Sequence, residues 1–311
     1  MTGDKLKVLC HNVTTFTASG EFDEDAYRAS VRRLADSGIG ISAASGGSGE
    51  SHALSWDELR AVYRASVEEV GGIVPVESNQ PEQHTAQLTI DHAHLAIECG
   101  VDTVGLYGPS GLHGYRSSDE EFTAFFDLVL SEITHPVMLN ANPMMAATKP
   151  STIAALVNKY PQVVAFTNSG QTGDGFFIAL QDALERDIEI YVGIQGSLNA
   201  FAMGAAGNMV GIGNIVPKTV RRYLDAWDAG DLAAASGAYR ELRRFEDFTK
   251  QWKSAWPRSY KMSMRALGLP GSGLRQPYLP ASDSELERFT TGLLALDVAE
   301  VRELASAAGV L

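Results

Sequence analysis

Cysteine is scarce in this chain of 311 residues, occurring only as Cys10 and Cys99. Two thiols cannot build the disulfide framework of a small secreted domain, so both are expected as inert core residues in a reducing cytoplasm. Positive charge is also in short supply. Lys and Arg number 25 against 38 Asp and Glu, the formal net charge is −13 and the pI is near 5.0. No basic run relieves this deficit, and nothing offsets repulsion from phosphates, which excludes a general nucleic-acid-binding role. Long hydrophobic runs are missing as well. No stretch approaches the roughly 18 apolar residues of a membrane helix, and the apolar run around Lys5 and Lys7 is too short for a signal peptide. A soluble protein with no membrane partner is expected. Low-complexity tracts and long Pro/Ser linkers are absent too, so no composition break divides the chain.

What is present is a repeat. With 45% hydrophobic residues the chain can bury a large core, and eight short β-rich runs recur at even pitch: "KVLCHNV", "IGISAAS", "GIVPVES", "DTVGLYG", "PVMLNAN", "QVVAFTN", "IEIYVGI" and "NMVGIGN". Between them lie segments such as "DEDAYRASVRRLADSG" and "SWDELRAVYRASVEEVGG", with apolar residues three and four apart and a closing glycine. Eight strand–helix units predict an α/β fold, the (β/α)8 TIM barrel, with catalytic groups at the polar C-terminal ends of the strands. A doubly wound sheet would need a topological switch and typically fewer strands. The helical pattern running on from Lys218 exceeds one barrel unit. Residues 1–217 are therefore assigned to the barrel, and 218–311 to its last helix and a C-terminal helical extension.

Five segments, in register with the repeats, resemble the dihydrodipicolinate synthase and N-acetylneuraminate lyase family of Schiff-base aldolases: "HNVTTFTASGEFD", "SGGSGESHALSWDE", "HPVMLNANP", "FAMGAAGNMVGIGNIVP" and "MRALGLPGSGLRQPYLP". The resemblance implies the barrel fold, a small carboxylate substrate and a homodimer or homotetramer. It also implies a lysine at the end of strand six, whose amine captures a 2-oxo acid as an imine. That position holds Thr167, and a hydroxyl cannot form an imine. The family's proton-relaying tyrosine falls on Asn140, the following arginine on Met145, and the serine of strand eight on Val210. The site is changed where the scaffold signature is kept.

Glu77, His11, Tyr107 and Thr167 are the candidate catalytic residues. Glu77 stands where the family has a small or apolar residue. Facing inward, its carboxyl would be pushed into the range of a general base; otherwise it is a structural glutamate bonded to the next strand. His11 offers the same chemistry from strand one, or is a core histidine. Gly47 and Ser48 in "GGSGE" suit a carboxylate through backbone amides and a hydroxyl, or simply a tight turn. Asn140, Asn142, Asn168 and Gln195, with Asn12 and Asn79, form a neutral hydrogen-bonding set able to stabilise an enolate by aimed donors. Strand alternation predicts that about half of these strand-end groups face the pocket. His113, Tyr115 and Arg116 lie in the loop after strand four, Arg116 being suited to a carboxylate.

No cofactor and no metal is expected, because no H-x-H or H-E-x-x-H spacing marks a strand end; His11, Glu77, His84 and His113 are the candidate ligands. The expected function is a lyase or aldolase-like enzyme acting on a small 2-oxo or hydroxy acid without an imine. Two alternatives stand beside it: a non-catalytic binding homologue, and an aldolase using Lys149, read as the one lysine near the barrel mouth or as an exposed residue before an N1 proline.

Overall fold

The structure is a computed structural model describing residues 5–140, 142, 145, 147–168, 173–252 and 255–311. Eight strands, β1 (Lys7–His11), β2 (Gly40–Ala43), β3 (Val76–Asn79), β4 (Thr103–Tyr107), β5 (Val137–Asn140), β6 (Val163–Asn168), β7 (Glu189–Val192) and β8 (Gly207–Val210), run parallel and close in sequential order. This is the expected (β/α)8 barrel. β8 returns to β1 with Lys7 opposite Gly207 and Leu9 opposite Met209. At that seam Asn214 donates to the carbonyls of His11 and Gly211 and accepts from the amide of Val13, so one side chain ties the exits of β1 and β8.

The helices form where the sequence supplies both a stripe and a stop. α1 (Glu24–Asp36) is capped by Asp23, and α2 (Trp56–Val70) opens with a Ser55–Glu58 capping box. α3 (Ala86–Glu98) and α4 (Asp119–Glu132) start on Thr85 and Ser118, and α5 (Pro150–Lys159) on its N1 proline. α6 (Asp174–Ala183), α7 (Ser197–Ala202) and α8 (Pro217–Asp228) complete the ring. Four more helices follow: α9 (Leu232–Lys250), α10 (Ala255–Ala266), α11 (Asp283–Leu294) and α12 (Ala299–Ala307). Buried Glu300 of α12 accepts from the amides of Lys218 and Thr219 and so caps α8.

Each strand is shorter than its seven-residue run, and in two the reason is local. "GIVPVES" pairs only from Val76, because Gly72 sits at φ +79° and Pro75 lacks the amide a ladder requires. "NMVGIGN" stops at Val210 and tightens into a 3-10 turn at Ile212–Asn214, which brings Asn214 back over the seam.

Alternation along each strand divides the core in two. One set packs between barrel and helices, and a small second cluster of Leu9, Met138, Ala165, Tyr191 and Met209 fills the lumen. Two residues further along, the same strand phase points into the mouth of the barrel.

Candidate active site

That phase places His11, Asn79, Tyr107, Asn140 and Thr167 around the C-terminal end of the lumen, with Ser42 and Glu77 deeper on neighbouring strands. Their side chains are bonded to one another. Glu77 Oε1 accepts from Asn140 Nδ2 at 2.8 Å and from Asn79 Nδ2 at 3.4 Å. Asn79 Oδ1 accepts from the Tyr107 hydroxyl at 2.6 Å and from the amide of Gly46 at 3.4 Å. Asn140 Oδ1 accepts from Thr167 Oγ1 at 3.2 Å, and His11 Nδ1 lies 3.2 Å from Ser42 Oγ. Gly105 of β4 makes room for this arrangement, since a Cβ there would overlap Glu77 Oε1 and Asn140 Nδ2.

The electrostatics centre on one carboxylate. Glu77 is 1% exposed, and burial pushes its pKa up from 4.5 to about 7, against the opposing pull of Ser42, Asn140 and Asn79. Ser42 lies close enough to favour the ionised form, yet Glu77 Oε2 has no hydrogen bond of acceptable geometry. A buried carboxylate with one oxygen held and one left over is poised to accept a proton. Burial acts on His11 in the opposite sense and lowers its pKa to about 4, so the imidazole is neutral at physiological pH. Tyr107 is raised by burial and by the Glu77 charge and stays a phenol, a donor rather than a base.

The loop after β2 rims one side of this site. Ala44 (φ 56°) and Glu50 (φ 50°) both occupy the left-handed region, which side chains seldom adopt and which must be held by their surroundings. The holding contacts are visible. The amide of Gly49 donates to Ser45 Oγ at 2.9 Å, its carbonyl accepts from Thr14 Oγ1 at 2.7 Å, and a Cβ at Gly49 would lie 2.5 Å from the amide nitrogen of Ser45. Glu50 is anchored by Lys261 of α10, whose ammonium lies 2.5 Å from Glu50 Oε1 and 4.1 Å from the centre of the Phe16 ring. Both side chains of the pair are fully buried, and burial lowers Lys261 to about 8.

Residues 5–295 match the Dihydrodipicolinate synthetase family. The chain belongs to that family. The 4-hydroxy-tetrahydrodipicolinate synthase 1 of Streptomyces coelicolor is 30% identical over 294 residues, covering 92% of this chain and 91% of that protein. An uncharacterized DapA-like lyase of Rhizobium meliloti is 24% identical over 290 residues, 91% of this chain and 93% of its own. Among solved structures, dihydrodipicolinate synthase DapA-2 of Bacillus anthracis superposes with a TM-score of 0.83 at 25% identity, covering 93% of this chain and 97% of that one. YagE of Escherichia coli, solved with pyruvate, gives 0.84 at 20% identity over 94% and 99% of the two chains, a likeness of fold.

Within this dihydrodipicolinate synthetase family scaffold, the residues expected to act together divide sharply. His11, Glu77, Asn79, Tyr107, Asn140 and Thr167 meet in the lumen. Asn12, Asn142, Asn168 and Gln195 do not. Asn12 bonds Asn214 and Ser30 on the outer side of β1. Asn142, expected to bind substrate, is occupied by the loop: Nδ2 donates to Gly108 O and Glu82, and Oδ1 accepts from Met145 N. Asn168, next to lumen-facing Thr167, takes the opposite strand face and with exposed Gln195 lines a cleft beside α6 and α7. Gly47 is half-buried and Ser48 is 5% exposed in the strained loop. His113 (φ 52°) and Arg116 are exposed in the loop before α4, and His84 Nδ1 is spent on the carbonyl of Ser110. Among the described residues, no three His, Cys, Asp or Glu side chains gather in a way that could hold a metal ion.

The lysines correct one expectation. Lys149 is not a lumen amine: it precedes α5 with its side chain 75% exposed and pairs with Asp119 at 2.8 Å. Nor is it the one lysine on the mouth side, since Lys261 reaches the β2 loop from the extension. Lys261, however, is committed to loops after β1 and β2, across the closed strand order from Thr167 on β6. Lys7 pairs with Glu189 at the other end of the barrel, and Lys159, Lys218 and Lys250 pair with surface acids. Lys5 is exposed, and Lys253 lies outside the described residues.

Sequence reasoning passed over three groups. Ser42 carried a signal in strand phase, lying opposite both His11 and Glu77 in the ladders. Lys261 carried one as a charge three residues before buried Met264 on an amphipathic helix. Gly105 carried none beyond being a glycine within a strand.

Proposed function

We propose that this protein is a lyase of the aldolase type that handles a small 2-oxo or hydroxy acid through an enolate, with His11, Ser42 and Glu77 moving the proton in place of a lysine imine. The observation that carries the reading is the buried Glu77 carboxyl, titrating near 7 beneath a neutral His11 that is linked to Ser42. The 4-hydroxy-tetrahydrodipicolinate synthases among its relatives and the pyruvate in the YagE structure support a 2-oxo acid as the substrate class.

The substrate carboxylate rests on the amides of residues 46–48, and a C3 proton faces His11. His11 takes that proton while the C–H pair becomes the enolate double bond and the carbonyl π pair moves to oxygen. Nδ1 of the imidazole releases its own proton to Ser42, whose hydroxyl hydrogen passes to Glu77. The proton comes to rest on Glu77 because its pKa, about 7, exceeds the value of about 4 for His11. The hydroxyls of Tyr107 and Thr167 supply donors to the enolate oxygen, a preorganised role worth a few kcal/mol (~3) per donor. The enolate carbon then adds to a carbonyl partner, whose π pair moves to its oxygen, and the alkoxide takes a proton from water at the mouth. In the reverse direction water takes that hydroxyl proton, the C–C pair returns to the enolate, and its carbon receives the Glu77 proton back through Ser42 and His11.

Two measurements test this. Borohydride added with pyruvate should leave the intact mass unchanged, and a lysine adduct would overturn the non-imine mechanism. Exchange of the pyruvate methyl protons in D2O, followed by NMR, should fall at least a hundredfold in Glu77→Gln; an unimpaired variant removes Glu77 from the chemistry. One observation favours a second reading, a binding protein without turnover: the Asn79–Glu77–Asn140–Thr167 chain is already bonded to itself. A 2-oxo acid that raises the melting temperature with no proton exchange would support it.

A further inference from the structure

The site faces the C-terminal mouth, but a second opening reaches the lumen from the other end. A cavity of about 480 Å³ enters between the N-terminal ends of the strands and extends to Glu77 itself. Its apolar wall is the lumen cluster, including Leu9, Met138 and Ala165. Its charged and titratable lining consists of Lys5, Lys7, Glu77, Glu189, Tyr191 and Arg221. Two of these are already linked, the Tyr191 hydroxyl donating to Glu189 Oε2 at 2.6 Å. Glu189 in turn pairs with Lys7, and its side chain is 40% exposed to bulk water. At the inner end, Glu77 Oε2 is buried and without a partner.

We infer that this cavity is the proton exit of the site, carrying the proton held by Glu77 to solvent at the N-terminal face through entering water, the Tyr191 hydroxyl and Glu189. The inference rests on Glu77 being the destination of the substrate proton. Once water at the mouth has protonated the alkoxide of an addition, Glu77 must release its proton before the next turnover, and the route through Ser42 and His11 is blocked whenever substrate or product lies against His11. A path from behind separates chemistry at the mouth from proton recycling. In each transfer a water carries the Glu77 proton to the Tyr191 oxygen as the Tyr191 hydrogen passes to Glu189, and Glu189 returns it to bulk, so no charge accumulates on the phenol. Burial and the neighbouring carboxylates raise Tyr191, which keeps it protonated and able to relay. A sealed apolar floor, the usual filling of a barrel interior, would serve packing as well but would leave Glu77 no such path.

The test is independent of turnover. Stopped-flow infrared spectroscopy after a jump from pH 5 to pH 8 follows the protonated-carboxyl band of Glu77, assigned by its absence in Glu77→Gln. In a Ser42→Ala background, which closes the route through His11, Tyr191→Phe and Glu189→Gln should each slow its decay at least tenfold relative to Ser42→Ala alone. Glu189→Gln alters a half-exposed side chain and retains the fold should Tyr191→Phe perturb the lumen. The inference is overturned if both double variants relax at the rate of Ser42→Ala alone. A wild-type rate of methyl-proton exchange in Glu77→Gln would instead remove the function reading, so the two failures are told apart.

Discussion

Glu77→Gln should make the protein more stable at neutral pH, and the size of the effect follows from the site. The carboxyl titrates near 4.5 in the unfolded chain and near 7 in the folded one. Between those values the native state holds a proton that the unfolded state has released, so stability falls as pH rises through the window. The loss is absent below about 4.5 and complete above about 7. At about 1.4 kcal/mol per pH unit it amounts to about 3 kcal/mol. Glutamine is isosteric and uncharged: its oxygen can accept from Asn140 as Oε1 does, and it never incurs the cost of burying a charge. Urea unfolding at pH 5 and pH 8, followed by tryptophan fluorescence at matched protein concentration, should show the variant close to wild type at pH 5. At pH 8 it should be ahead by about 2–3 kcal/mol. A difference between the two proteins that does not change with pH refutes the argument, because it would mean that Glu77 carries no raised pKa.

Lys261→Met leaves Glu50 buried without its cation and should cost about 3–5 kcal/mol. Adding Glu50→Gln should recover part of that loss in a double-mutant cycle of thermal unfolding; additive losses would show the pair to be uncoupled. The methyl-proton exchange rate at limiting pyruvate should rise about tenfold per pH unit below pH 7 and level off above it, as Glu77 ionises; a profile flat from pH 5 to pH 8 assigns the base elsewhere. Thr167→Lys should create a borohydride-trappable adduct with pyruvate that wild type lacks, located by peptide mass; an unmodified β6 peptide in that variant would mean that the carbonyl does not reach the strand.

The barrel was legible because its signal is periodic and local. Eight apolar runs, capped helices and closing glycines each name their own element, and the late start of β3 follows from Gly72 and Pro75, both visible in the sequence. The site was legible only to the depth that alternation allows. It separates Thr167 from Asn168 and His11 from Asn12, but it cannot foretell that Asn142, two residues beyond the end of β5, turns to bond Gly108 and Met145. Lys261 was hidden for a different reason. Its partner Glu50 lies 211 residues earlier, and the contact exists only because the helical extension folds back over the loops of β1 and β2.

This fold-back bears on why an imine and a carboxylate base are alternative solutions in one frame. An amine at the end of β6 needs acidic or hydroxyl neighbours to shuttle protons around a covalent adduct, whereas a carboxylate base needs desolvation and a donor set that does not neutralise it. At the Thr167 end of the lumen the described side chains are neutral amides and hydroxyls, and at the centre the chain places a buried glutamate in space opened by Gly105. The buried cation near the rim on the β2 side, Lys261, is held by Glu50 and screened by the Phe16 ring. The Glu50–Lys261 pair therefore serves the carboxylate solution from a distance: it fixes the strained loop proposed to hold the substrate carboxylate, with its own cation matched inside the same contact.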